Sequence, residues 1–104
     1  MDQNFTITVD KTYTTAYKLI LKGRVTSANA DILQHKLNEA FGDGNWRFVL
    51  NMRDVDFLSS GGIRVLLMFY KKTKEKGGSF HVENPSENVR NVLGMTALDN
   101  MLLK

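Results

Sequence analysis

The sequence predicts an α/β fold: a mixed four-stranded sheet with helices packed on it, the elements running β-β-α-β-α-β-α-α. Three observations predict it. Apolar residues alternate at period two in "FTITVD", form a nearly continuous run in "WRFVLNM", and shift to helical spacing after Gly23 and again after the "WRFVLNM" strand. Strands that alternate with helices need crossover connections, which set strands parallel and lay helices on the sheet. At 104 residues, with 42% hydrophobic and 24% charged residues, the chain suits one domain over 1–104 built on one core.

Taken in order, Phe5, Ile7 and Val9 mark the buried side of a first strand, and "AYKLILK" at 16–22 follows the threonine-rich turn "KTYTT" as its hairpin partner. Gly23 is expected to end that second strand. A helix follows, with Ala30, Leu33, Leu37, Ala40 and Phe41 on one side, Thr26 or Ser27 to cap its start and Gly42 or Gly44 its end. "WRFVLNM" at 46–52 reads as a central strand buried on both faces. The next helix runs from about Gly61 to Lys76, and Gly77-Gly78 stop it before the strand "SFHVEN". In "NPSENVRNVLGM", Asn84 is expected as N-cap, with Pro85 at the first helical position and Glu87 placed to return a capping-box bond. "ALDNMLLK" supplies a short last helix.

Composition removes several functional classes. Without cysteine there is no disulfide framework, thiolate nucleophile or sulfur-ligated zinc. The N-terminus has no basic segment leading into an apolar run, and no stretch approaches the roughly 18 apolar residues of a membrane helix, so a cytoplasmic protein without membrane insertion is expected. The net charge of +3 is a small excess, dense only at Lys71, Lys72, Lys74 and Lys76, and fits a solvated helix face better than direct nucleic-acid binding.

The stretch "LSSGGI" joins the third strand to the second helix. Such a junction suits a phosphate loop, a catalytic serine or a modified serine. It matches neither G-x-x-x-x-G-K-[ST] nor G-x-G-x-x-G, and G-x-S-x-G is missing too. His35 and His81 lack the companions of a general base and the spacing of metal ligands, so no enzyme, cofactor or metal is expected. Two readings of the junction remain. In one, Ser59 and Ser60 cap the helix and the glycines make the turn. In the other, a serine on the positive end of the helix dipole takes a phosphoryl group, about −1.5 to −2 charges, that alters a docked partner. On the helix itself, Ile63, Leu66, Leu67 and Tyr70 form the stripe assigned to the sheet, and Val65, Met68 and Phe69 a second apolar strip suited to a protein partner or to a wide core contact.

With "KGRVTSANA", "NMRDVDFLSSGGIRVLL" and "YKKTKEKGGSFHVENPSENVRNVLGMTALDNML" in view, the chain resembles the STAS family, and within it the small bacterial anti-sigma-factor antagonists, over nearly its whole length. That family carries a pattern like D-S-[SA]-G-[LI], whose serine is phosphorylated by an anti-sigma factor that is itself a serine kinase. A serine phosphatase resets the switch. The resemblance places the phosphoacceptor at Ser60, with Ser59 as the less favoured acceptor. It implies a partner surface of Ser59, Ser60, Gly61, Gly62, Arg64, Val65, Met68 and Phe69. Ser59 stands where the family's Asp is usual, and Thr26 where related sequences often carry Asp after the first-helix glycine. The alternative the resemblance allows is a non-switching STAS subunit of a lipid-transport ATPase complex.

Overall fold

The computed structural model describes residues 5–12 and 15–103; Tyr13 and Thr14 of the hairpin turn lie outside the described residues. The elements are β1 (Thr6–Asp10), β2 (Tyr17–Val25), α1 (Ala30–Gly42), β3 (Arg47–Leu58), α2 (Ser60–Glu75), β4 (Ser79–Glu83), α3 (Glu87–Met95) and α4 (Asp99–Leu102). The sheet order is β1-β2-β3-β4, with β1 antiparallel to β2 and the other pairs parallel. This is the mixed α/β sheet the sequence predicts.

Side chains in the sheet alternate sharply. Leu19 and Leu21 of β2, Phe48, Leu50 and Met52 of β3, and Phe80 and Val82 of β4 are buried in one core with Leu33, Leu37, Leu66, Phe69, Val89 and Leu93 of the helices. The residues between them, including Ile20, Val49, Asn51 and His81, are half-buried on the opposite face. That corrects the expectation that "WRFVLNM" is buried on both faces: the buried core lies on one face, and Val49 and Asn51 on the other are only half-buried. Across β3 on that face, Lys18 and Glu83 form an ion pair at 2.6 Å.

Gly23 does not end β2, which continues to Val25. Its φ of +102° lies at an irregularity where β3 gains a residue: Gly23 pairs with Val55 and Arg24 with Phe57. A left-handed glycine absorbs the mismatch that would otherwise break the ladder. The N-cap of α1 is Asn29, not Thr26 or Ser27, and its side chain makes no cap bond to the helix. The turn before it is closed instead by a reciprocal pair: Thr26 Oγ1 accepts the Asn29 N–H at 3.2 Å while Asn29 Oδ1 accepts the Thr26 N–H at 2.8 Å. The buried Asn29 amide also donates to the Arg24 carbonyl at 2.8 Å, tying α1 to β2.

The start of α3 differs from expectation. Ser86, not Asn84, is the N-cap, its Oγ accepting the Val89 N–H at 3.2 Å. Asn84 has φ +49°, a left-handed turn conformation, whereas an N-cap is extended. The chain reverses at Asn84 and enters the helix two residues later. Gly77 and Gly78 end α2 as expected, donating to the Lys74 and Thr73 carbonyls at 3.0 and 2.8 Å in a Schellman arrangement with Gly77 at φ +74°.

Candidate functional site

The serine junction lies at the C-terminal ends of the parallel strands. Leu58, the last residue of β3, is buried, and the Ser59 N–H donates to the Val25 carbonyl of β2 at 2.8 Å, so strand pairing runs up to the helix. Ser59 then turns extended (φ −79°, ψ 169°) and serves as N-cap: its Oγ accepts the Gly62 N–H at 3.1 Å. Its carbonyl accepts the Ile63 N–H at 2.9 Å. Ser60 is the first residue of α2 and is exposed. The first turn carries no acidic side chain, so the positive end of the helix dipole has no carboxylate of its own helix beside it.

Neither glycine of the pair has a positive φ, so turn geometry does not require them. Close packing does. A Cβ on Gly62 would lie 2.7 Å from Val25 Cγ1 and 2.8 Å from Leu58 Cδ1. One on Gly61 would meet Ser27 Oγ at 3.2 Å and Ser27 Cα at 3.3 Å. Helix α2 therefore starts pressed onto the end of β2 and onto the loop that leads into α1.

That packing also corrects the assignment of the α2 faces. The side against the sheet is Gly62, Val65, Leu66, Phe69 and Thr73, all buried. Ile63, Leu67, Met68 and Tyr70 are half-buried flanks. The sequence reading looked only for large apolar residues and so passed over Gly62 and Thr73, which lie near the centre of the buried face. Thr73 is admitted to the core because its hydroxyl donates to the Phe69 carbonyl at 2.8 Å. Of the expected partner surface, Ser60 and Arg64 are exposed and Ser59, Gly61 and Met68 are half-buried, whereas Gly62, Val65 and Phe69 are interior and offer nothing to a partner.

Residues that the sequence reading missed stand beside the junction. Ser27, exposed, touches the Gly61 position. Phe57 is 39% exposed near the end of β3, with the Arg24 guanidinium 4.5 Å above its ring. Phe57 was hidden by the pattern: in "DVDFL" it falls in step with Val55 as an inward residue, yet in the fold Val55 and Leu58 are buried and Phe57 is exposed. Ser27 carried no signal: its neighbour across the fold is set by tertiary packing. His35 pairs with Glu39 on α1 at 3.6 Å, and His81 lies in β4, so the two histidines stand on separate elements. Among the described residues no helix is long and apolar enough to cross a membrane.

The STAS domain family model matches residues 8–104, and the chain belongs to that family. BtrV of Bordetella bronchiseptica, named as a candidate anti-sigma factor antagonist, is 35% identical over 72 residues, which make up 69% of this chain and 62% of that relative's length. Two solved structures of SpoIIAA from Bacillus share the fold at 17% identity. The unphosphorylated form, an anti-sigma factor antagonist, has a TM-score of 0.82 over 94% of this chain and 86% of that one. For the phosphorylated form the TM-score is 0.75 over 94% and 89%. An anti-sigma factor antagonist from Mycobacterium paratuberculosis, 22% identical, superimposes with a TM-score of 0.79 over 94% of this chain and 82% of that chain. The family drawn from the sequence motifs is thus the family of the chain.

Proposed function

We propose that this STAS protein is a cytoplasmic bacterial anti-sigma factor antagonist. In this reading it binds an anti-sigma factor that is a serine kinase, and phosphorylation of Ser60 switches the binding off. One observation carries the choice of residue: Ser60 is exposed at the first helical position, while the Ser59 oxygen already serves the Gly62 N–H as a cap. A kinase can approach Ser60 without disturbing the fold. Reaction at Ser59 would replace a cap and require that hydrogen bond to open. Transfer of the γ-phosphoryl group of ATP to Ser60 Oγ adds about −1.5 to −2 charges at a helix start whose backbone N–H groups tolerate an anion. The protein stays folded, and the cost falls on the docked partner, which now faces a charged, strongly hydrated group. A serine phosphatase reverses the step by hydrolysis. The accessible docking surface is Ser60, Arg64, Gly61 and Met68, with Ser27 and Phe57 beside them.

The test is affinity capture from the native cytosol with wild-type, Ser60→Ala and Ser60→Asp baits, followed by kinase assay of the recovered partner. Capture of an ATP-dependent serine kinase by the wild type and Ser60→Ala but not by Ser60→Asp, with phosphate on Ser60 alone in the wild type, is the expected result. Phosphate on Ser59, or equal capture by all baits, refutes the switch. Capture of transporter subunits by all three would assign the chain to a non-switching complex.

A further inference from the structure

The end of the sheet opposite the serines holds an open bowl of about 680 Å³. It is walled by the end of β1 and the start of β2 on one side, and by α1 with the loop into β3 on the other. Four cations line it, Lys11, Lys18, Lys36 and Arg47, against a single carboxylate, Asp10. Lys18 is engaged by Glu83. Lys11, Lys36 and Arg47 form no ion pair with any described residue. Asp10 is itself satisfied: the Thr12 hydroxyl and N–H donate to it at 2.6 and 3.0 Å, holding its carboxyl below the usual carboxylate range. Trp46, 41% exposed, and Tyr17 complete the wall.

From this arrangement we propose that the bowl is a second docking surface, for an acidic peptide segment of a partner protein, and that it works independently of Ser60. Charge sets the sign of the ligand. Three cations without an ion-pair partner among the described residues favour carboxylates, and the planar guanidinium of Arg47 can hold one through two parallel bonds. Shape sets the class. The bowl is shallow and largely polar, unlike the enclosed apolar clefts that bury small molecules. Nucleic acid fits less well, because Lys72 and Lys74 of the α2 run lie over rings outside the bowl, and Lys76 alone of these three lysines reaches its wall, at Trp46. Lys72 lies over the Phe41 and Phe69 rings at 4.8 and 4.9 Å, Lys74 over Tyr70 at 5.1 Å and Lys76 over Trp46 at 5.4 Å. Lys76 covers the indole on which a base would stack. Independence follows from position, since the whole length of β3, from Arg47 to Leu58, separates bowl from serines.

Trp46 is the only tryptophan of the chain and reports on the bowl directly. Binding of an oligo-glutamate peptide at low salt, followed by Trp46 emission and by anisotropy of the labelled peptide, tests the proposal. Arg47→Glu and Lys36→Glu should each weaken binding about tenfold, and the milder Arg47→Gln and Lys36→Gln should weaken it less. Lys71→Glu and Ser60→Asp should leave it unchanged. Circular dichroism checks that every variant is folded. The proposal is overturned by no binding, by equal losses in Lys71→Glu, by dependence on Ser60, or by an oligonucleotide that binds more tightly than the peptide and is lost with the same Arg47 and Lys36 variants.

Discussion

At the start of α2 and at the start of α3 an extended serine accepts the N–H three residues on: Ser59 from Gly62 at 3.1 Å, Ser86 from Val89 at 3.2 Å. The surroundings differ. Ser86 also donates its hydroxyl to the Val55 carbonyl at 2.5 Å, and Asn88 donates to the Asp56 carbonyl at 2.7 Å, so α3 is bonded to β3. Its first turn carries Glu87, which complements the helix dipole. Helix α2 has neither a side-chain bond of that kind from its cap nor an acid in its first turn. It is fixed instead by two glycines that let it close on Val25, Leu58 and Ser27, and it leaves one hydroxyl, Ser60, outside. The comparison separates what the "LSSGGI" motif does for the fold from what it offers to a partner. Serine caps are ordinary helix chemistry, shared by both starts. The glycines are packing, and Ser60 has no counterpart in α3.

The largest effect should come from the glycine that the start of α3 lacks. In Gly62→Ala the new Cβ meets Val25 Cγ1 and Leu58 Cδ1 well inside contact distance, and both are core side chains with little room to retreat. Overpacking of this kind costs about 1–3 kcal/mol, more than the ~1 kcal/mol that alanine gains over glycine in a helix. Urea unfolding should show a lower midpoint at unchanged slope, and Val25→Ala in the same chain should recover part of the loss. A stability equal to wild type would mean that the start of α2 can slide, and the glycine pair would need another explanation.

Next comes the contrast between the two caps. Ser86→Ala removes an acceptor for Val89 and a donor to the Val55 carbonyl, a loss of about 2 kcal/mol, whereas Ser59→Ala removes the Gly62 bond alone, about 1 kcal/mol. Thermal or urea denaturation of the two variants measures the difference. A larger loss at Ser59 would erase the distinction drawn between the helix starts.

Most of the fold was legible in the sequence because periodicity reports which side of an element is apolar. The strand and helix order was read correctly, as was the end of α2 at Gly77-Gly78. Where the reading went astray, contacts distant in sequence decided. Gly23 looked like a stop and is a bulge set by its pairing with β3. Asn84 looked like a cap because Pro85 and Glu87 follow at suitable spacing, yet the reversal out of β4 takes Asn84 for the turn and leaves the cap to Ser86. The inner face of α2 was misplaced by a helix edge because glycine and threonine do not count as apolar, although Gly62 and Thr73 lie buried on that face. At the site the serines and glycines were visible as a motif. Their division of labour was not, since it depends on Ser27, Val25 and Leu58 arriving from other segments.

The smallest effect on stability is expected at Ser60 itself. Its side chain is exposed, its neighbour already fills the cap, and serine and alanine differ little at a solvent-facing first helical position, so Ser60→Ala should change stability by less than about 0.5 kcal/mol. Measured beside Ser59→Ala, this variant tests the division of roles most directly. A hydroxyl that contributes nothing to the fold, adjacent to one that does, is free to be chosen by a partner. If Ser60→Ala destabilises the protein as much as Ser59→Ala, both serines belong to the cap, and the start of α2 differs from that of α3 only in how tightly it is packed.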